Sequence, residues 1–442
     1  MTKNHLSTKP YKGTRDFYPD DMRYRNWSFS KLRKVINTYD FEEYNGPLLE
    51  SFEIYAAKSG EEIVNEQLYS FQDKAERKMV IRPEMTPTAA RLVAARLEQL
   101  VLPLKWFSLA NFMRYENPQK GRLREHWQVN VDVFGTSSMK AELELLNLIK
   151  DLMLEFNTDF SMFKIKINNR KLFNEVLMKV MDVDKDSLKK IAKAIDKKSK
   201  ITQAAFEQWL IESGLPENKI NLLESLSTAT LDEIAKLAGP DSVGLREIKD
   251  LFSLLTETEL NKCCEFDFSV VRGFDYYTGT VFEVYDTSPE NRRSLFGGGR
   301  YDNLVGMFRN AGISGVGFGM GDVTFQNFLE NHNLIPTQIY EEKKVLVTRF
   351  NDVPYQLYWG ISDELRANGV RNSIYLHDDE KLGKQLTYAE KKGFTLVLIM
   401  GADEVRTQKI IIKNIQLKEQ QVVDRNKCLS EIHRWLERDV RG

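Results

Sequence analysis

The stretch from Leu104 to Gly135 constrains the fold more than any other part of the chain. Its second half, HWQVNVDVFG (residues 126–135), alternates apolar and polar residues. In a strand this sends Trp127, Val129, Val131 and Val133 to one face and Gln128, Asn130 and Asp132 to the other. The first half, LKWFSLANFMRY (104–115), reads as a second β run, joined to the first by ENPQKGRLRE with Pro118 and Gly121 as punctuation. Two strands and one long loop predict an antiparallel hairpin. Helical spacing follows over Met139–Phe156, with Leu143, Leu146, Ile149, Met153 and Phe156 on one stripe.

From about residue 171 to 262 the chain turns rich in Lys, Leu, Ala and Glu, and short amphipathic segments such as DSLKKIAKAIDKK predict a helical module. The β pattern resumes in EFDFSVVRGFDYYTGTVFEVYD, LFGGGRYDNLVGMF and GVGFGMGDVTFQNFLEN. A β region that stops and resumes reads as one domain carrying an insertion. The expected division is 1–170 and 263–335 for that domain and 171–262 for the insertion. Residues 336–442 make a further α/β domain with a largely parallel sheet, its strands KVLVTRF, SIYLH, TLVLIMG and KIIIKN separated by helical segments. At 442 residues, the chain is too long for one compact core.

Composition closes several routes. The 63 basic and 64 acidic residues nearly cancel, so no global field draws the chain to nucleic acid, and any such binding needs local surfaces. No run approaches the roughly 18 apolar residues of a membrane span. Cys263, Cys264 and Cys428 form no CxxC pair, which suits a reducing cytoplasm. The histidines lack HExxH spacing, so no zinc site is expected, and no GxSxG elbow supports a serine nucleophile. The turn after KVLVTRF lacks GxGxxG, and GVGFGMGD is not followed by the Lys-Ser or Lys-Thr of a Walker motif.

Chemistry concentrates in the hairpin and the glycine-rich runs. Arg114, Lys120, Arg122 and Arg124 outnumber Glu116 and Glu125 in the loop, a surplus that can bind polyphosphate over a polar strand face. A solvated sheet face under a charged turn is the plainer alternative. Regular alternation would align Asp275, Tyr277, Gly279, Val281 and Glu283, with the glycines marking a bulge or a close approach. Gly297-Gly298-Gly299 before Arg300-Tyr301-Asp302, and the alternating glycines of GVGFGMGD, also permit close backbone approach.

Taken together and in order, KGTRDFYP (12–19), IRPEMTPTAAR (81–91), FMRYENPQKGRLREHWQVNVDVFG (112–135), VRGFDYYTGTVFEV (271–284) and GGGRYDNLV (297–305) resemble the histidyl-tRNA synthetases of class II. The resemblance spans essentially the whole chain. It implies an α+β fold with an antiparallel catalytic sheet, a helical insertion and a C-terminal α/β anticodon-binding domain. It further implies a cytoplasmic homodimer acting on histidine, ATP with Mg²⁺, and tRNA(His). Histidine would be activated to histidyl-adenylate and then passed to the tRNA 3′ end, without a protein nucleophile.

Residue by residue, Arg114 matches the arginine holding the α-phosphate and the histidine carboxylate, Glu116 the acid near the adenine amino group, and Arg122 an arginine toward the outer phosphates. Arg272 matches an arginine beside the α-phosphate that stands in for a metal ion. Glu84, Thr86 and Gln128 match the shell around the α-amino group. Asp132, Tyr277 and Tyr301 match the imidazole pocket, and Tyr276 joins them as a histidine-binding residue; the family often has Glu at the Asp132 position. One departure stands out: Val323 and Thr324 fall where the third class II motif usually carries Glu and an ATP-contacting Arg. That leaves a degenerate site or a subtype gripping ATP differently, with Arg309 and Arg124 as substitute cations. A non-catalytic, synthetase-like regulatory subunit of histidine biosynthesis is the alternative function.

Overall fold

The computed structural model describes residues 6–56, 63–198, 201–271, 276–291, 293–340, 342–377 and 381–437. It forms two compact units, Met1–Ile335 and Pro336–Gly442.

In the first unit the strands are β1 (Glu42–Glu43), β2 (Leu49–Ser51), β3 (Tyr69–Gln72), β4 (Lys78–Ile81), β5 (Leu104–Met113) and β6 (Glu125–Phe134). They continue with β7 (Phe163–Asn169), β8 (Cys264–Phe266), β9 (Thr280–Asp286), β10 (Ser294–Tyr301) and β11 (Gly315–Gly321). Eight of them form one sheet in the order β1-β5-β6-β11-β10-β9-β7-β8, and β2-β4-β3 form a small second sheet. The large sheet is antiparallel except at its edges, where β1 runs parallel to β5 and β8 parallel to β7.

The hairpin stands as its alternation requires, with β5 and β6 in register from Leu104↔Phe134 to Met113↔Glu125. Val129, Val131 and Val133 are buried. Helix Lys140–Leu154 follows, burying Leu145, Leu146, Leu148, Ile149, Leu152 and Met153. Between β7 and β8 the described chain is helical, from Arg170–Met181 to Val243–Thr256. Its first helix is capped by the Asn169 side chain, which accepts from the Lys171 and Leu172 amides.

Two segments differ from the sequence-based expectation. β9 begins only at Thr280, so the regular alternation expected from Asp275 onward holds from Val281 alone; Asp275 lies outside the described residues. The Thr278 amide donates instead to the Arg300 carbonyl oxygen. In the second unit the strands are β12 (Val345–Val347), β13 (Asn372–Ile374), β14 (Leu396–Ile399), β15 (Lys409–Asn414) and β16 (Gln420–Asp424). Their order is β13-β12-β14-β15-β16, parallel over the first three and antiparallel over the last three. The sheet is therefore mixed rather than largely parallel. Only a short turn separates β15 from β16, and a parallel pair needs a crossover of a dozen residues or more.

Candidate active site

The polar row of β6 lies beside the glycine positions of β11. Gln128, Asn130 and Asp132 stand opposite Gly321, Gly319 and Gly317 of β11. A Cβ on Gly317 would overlap the Asp132 carboxylate and the Val131 carbonyl oxygen, and one on Gly319 would overlap the Gln128 amide. Glycine at alternate positions leaves the β6 side chains room to lie across the sheet. On the adjacent β10, a Cβ on Gly298 would likewise overlap the Gly317 carbonyl oxygen.

This floor carries a buried polar and aromatic pocket. The Tyr301 hydroxyl donates to Asp132 Oδ1. Tyr276 donates to Glu84 Oε2 at 2.9 Å, with Glu84 only 3% exposed. Tyr276 and Tyr277 pack at 4.9 Å between ring centroids, and Tyr276 meets Tyr301 edge-on at 5.8 Å. Glu84 lies two residues before the Thr86–Arg96 helix, which Pro87 helps start and which Thr86 opens beside Tyr276. Arg82, 3% exposed, ties this segment to the β1–β2 loop by donating to Asn45 Oδ1 at 3.0 Å and the Gly46 carbonyl at 2.8 Å.

Asp132 is 1% exposed, and its Oδ2 has no hydrogen-bond partner among the described residues. Burial pushes its pKa up to about 7; the Tyr301 hydroxyl opposes the shift and the nearby Glu84 adds to it. Burial likewise raises the Tyr276 and Tyr301 hydroxyls well above the usual range for a phenol.

A cleft of about 1170 Å³ opens beside the pocket, lined among others by Arg114, Glu116, Arg122, His126, Gln128 and Thr324. The Arg114 Nε donates to the Pro83 carbonyl at 2.9 Å, and its backbone amide donates to the Arg124 carbonyl oxygen at 2.8 Å. Arg122 pairs with Glu116 at 3.3 Å. Burial, reinforced by Arg114 and Arg15, drives the His126 pKa down to about 3, so this ring is a neutral hydrogen-bonding group at physiological pH.

The expected residues thus fall into two adjoining groups. Glu84, Thr86, Tyr276, Tyr277, Asp132 and Tyr301 gather in the pocket, while Arg114, Glu116, Arg122 and Gln128 line the cleft. Arg272 lies outside the described residues. The two substitute cations are engaged elsewhere. Arg309 is half-exposed and ion-paired with Glu98, and Arg124 lies over the Tyr115 ring at 4.0 Å while donating to the Tyr11 hydroxyl at 2.6 Å. Thr324 donates its hydroxyl to the Leu295 carbonyl at 2.6 Å.

Two pocket residues escaped the sequence reading. The hydroxyls of Tyr44 and Ser108 are buried near Asp132, and neither forms a well-shaped hydrogen bond among the described residues, although Ser108 lies beside Tyr44. Counting the hairpin register would have found Ser108, which stands opposite Asn130. Tyr44, directly after β1, reaches the pocket with its ring against Trp106, a pairing no local pattern announces.

A family model described as "Histidyl-tRNA synthetase" matches residues 13–321, and one described as "Anticodon binding domain" matches residues 344–435. The chain belongs to the histidyl-tRNA synthetase family. A histidine–tRNA ligase of Leptospira biflexa is 44% identical over 98% of this chain and 99% of the relative. One from Natronomonas pharaonis is 34% identical over 91% of this chain and 93% of its own. Among solved structures, a histidyl-tRNA synthetase from Nostoc sp. PCC 7120 shares the fold with a TM-score of 0.77 at 23% identity, covering 97% of this chain and all of that one. The class II synthetase fold, with its large sheet, helices and separate C-terminal sheet, is therefore that of this chain.

Proposed function

We propose that this chain is a histidine–tRNA ligase that activates histidine with ATP and transfers the histidyl group to tRNA(His). The observation that carries this reading is Asp132. Its Oδ1 accepts from Tyr301, while the buried Oδ2 remains available in an aromatic pocket where an imidazole N–H would be its natural donor. Near-full-length similarity to histidine–tRNA ligases and a matching anticodon-binding domain support the same reading over a regulatory subunit.

In this mechanism Glu84, Thr86 and Gln128 receive the α-amino group, and Asp132, Tyr276, Tyr277 and Tyr301 receive the imidazole. Arg114 aligns the histidine carboxylate with the α-phosphate of ATP, which the carboxylate attacks as pyrophosphate departs. Arg272 stabilises the charge that builds on the α-phosphate, Arg122 holds the outer phosphates and Glu116 the adenine. The tRNA 3′ end then attacks the activated carbonyl and releases AMP. Among the described residues no three His, Cys, Asp or Glu side chains cluster to cage a metal. Mg²⁺ would accordingly arrive on the ATP phosphates, neutralising their charge. Residues 1–170 and 263–335 form the catalytic domain, 171–262 the insertion and 336–442 the anticodon-binding domain of a cytoplasmic homodimer.

The test is histidine-dependent ATP–pyrophosphate exchange by the purified protein. Asp132→Ala should raise the histidine requirement while ATP binding changes little, because an imidazole donor left unpaired costs about 1–3 kcal/mol. Absence of exchange at millimolar ATP and Mg²⁺ would leave only the degenerate-site reading.

A further inference from the structure

One guanidinium in the cleft is still unassigned. Arg293 directly precedes β10 and lines the cleft with Arg122, Leu295 and Thr324. Its Nη2 donates to Gln119 Oε1 at 3.0 Å, at the tip of the β5–β6 loop. Its Nη1 is buried and has no hydrogen-bond partner among the described residues. A guanidinium N–H withdrawn from water without an acceptor is costly, and an anionic ligand is the group that relieves it best.

The surroundings narrow the ligand. The loop tip is closed by the bridge between Gln119 and Arg122. Gly121, within that tip, faces the Thr324 methyl group, to which an added Cβ would stand at 3.4 Å. The Thr324 hydroxyl is bonded in turn to the carbonyl of Leu295, two residues beyond Arg293. Arg293, Arg122 and Thr324 therefore share one corner of the cleft. Glu116, in the same cleft, is paired with Arg122. Thr324 holds the position where the third class II motif ordinarily places an arginine on ATP.

We propose that Arg293 supplies the guanidinium that Thr324 lacks, reaching the same corner from the β9–β10 connection and binding phosphate oxygens of ATP. The inference rests on the ligase reading above. It makes the departure at Thr324 a relocation of charge within the site.

Arg293→Ala and Arg293→Lys, measured in pyrophosphate exchange, test it. Loss of a charge-assisted contact should raise the KM for ATP about ten- to a hundredfold in R293A. R293K, which keeps charge but loses the planar fork, should fall between R293A and wild type. Histidine binding by calorimetry without ATP should stay within about twofold of wild type, as should the response to a Gln119→Ala control. An unchanged KM for ATP in R293A overturns the proposal. So does a Q119A variant as impaired as R293A, since Arg293 would then act only by holding the loop. If the wild-type protein gives no histidine-dependent exchange, the ligase reading falls. Calorimetric ATP binding to wild type and R293A then decides the arginine separately, with equal affinities overturning its role.

Discussion

Replacing Asp132 by Asn should stabilise the ligand-free protein, and by more as the pH rises. The carboxyl titrates at an ordinary 3.8 in the unfolded chain but near 7 when buried in the fold. Below 3.8 it is protonated in both states and carries no penalty. Above that, the unfolded chain releases the proton while the folded chain keeps it, so stability falls with rising pH until the folded group ionises at about 7. At about 1.4 kcal/mol per unit, the whole loss approaches about 4 kcal/mol. Asparagine keeps the oxygen that accepts from Tyr301 and has no proton to lose. The advantage of Asp132→Asn over wild type should therefore widen by about 2 kcal/mol between about pH 5.5 and about pH 8. Urea unfolding followed by circular dichroism at the two pH values reads this directly. A difference independent of pH would show that Asp132 is already ionised in the fold, and the explanation by burial would be wrong.

Glu142→Gln should destabilise the first unit by about 1–3 kcal/mol in the same assay, because the buried Arg300 guanidinium loses the carboxylate that now accepts from it at 2.6 Å and keeps mainly neutral partners, with Asp302 at 3.8 Å. Gly317→Ala should weaken histidine binding at least about tenfold and lower the thermal midpoint, since the new methyl displaces both Asp132 and the Val131 carbonyl; calorimetry and a melting curve check both. Arg272→Ala should slow single-turnover adenylate formation about 10²–10³-fold with little effect on histidine affinity. Removal of residues 336–442 should leave partial pyrophosphate exchange and abolish most tRNA charging, so equal loss of both in a folded protein would refute the separation of roles.

Much of the site could be read from the chain because it is built on regular strands. The period of two in Val129–Val133 decides which face Asp132 takes, and the β6–β11 register explains why glycines recur at Gly317 and Gly319. Reading failed where geometry depends on distant segments. The residues before Thr280 look like a strand by composition, yet the Thr278 hydroxyl is bound to Asp302 and its amide to the Arg300 carbonyl, contacts that replace regular pairing. Arg309 stands close to the glycine triplet in sequence, yet in the fold it pairs with Glu98. Arg293 carries no motif, and only the fold sets it beside Gln119, some 170 residues earlier in the chain. The β15–β16 hairpin was missed because QQVVD is short and half polar, a weak signal for an edge strand.

The placement of β11 beside β6 also governs how the protein can be made. Phe134 pairs with Gly315, about 180 residues later in the chain, with the helical segment between them. On a ribosome, the β5–β6 hairpin emerges long before its central neighbour exists. Its β6 edge, with Val129, Val131 and Val133, must wait unpaired for that neighbour. Closing so long a loop is slow, so the middle of the sheet should be among the last parts to assemble. The same glycines that make room for the Gln128 and Asp132 side chains thus belong to the strand that ends this exposed interval, and damage to them would surface first as aggregation during synthesis.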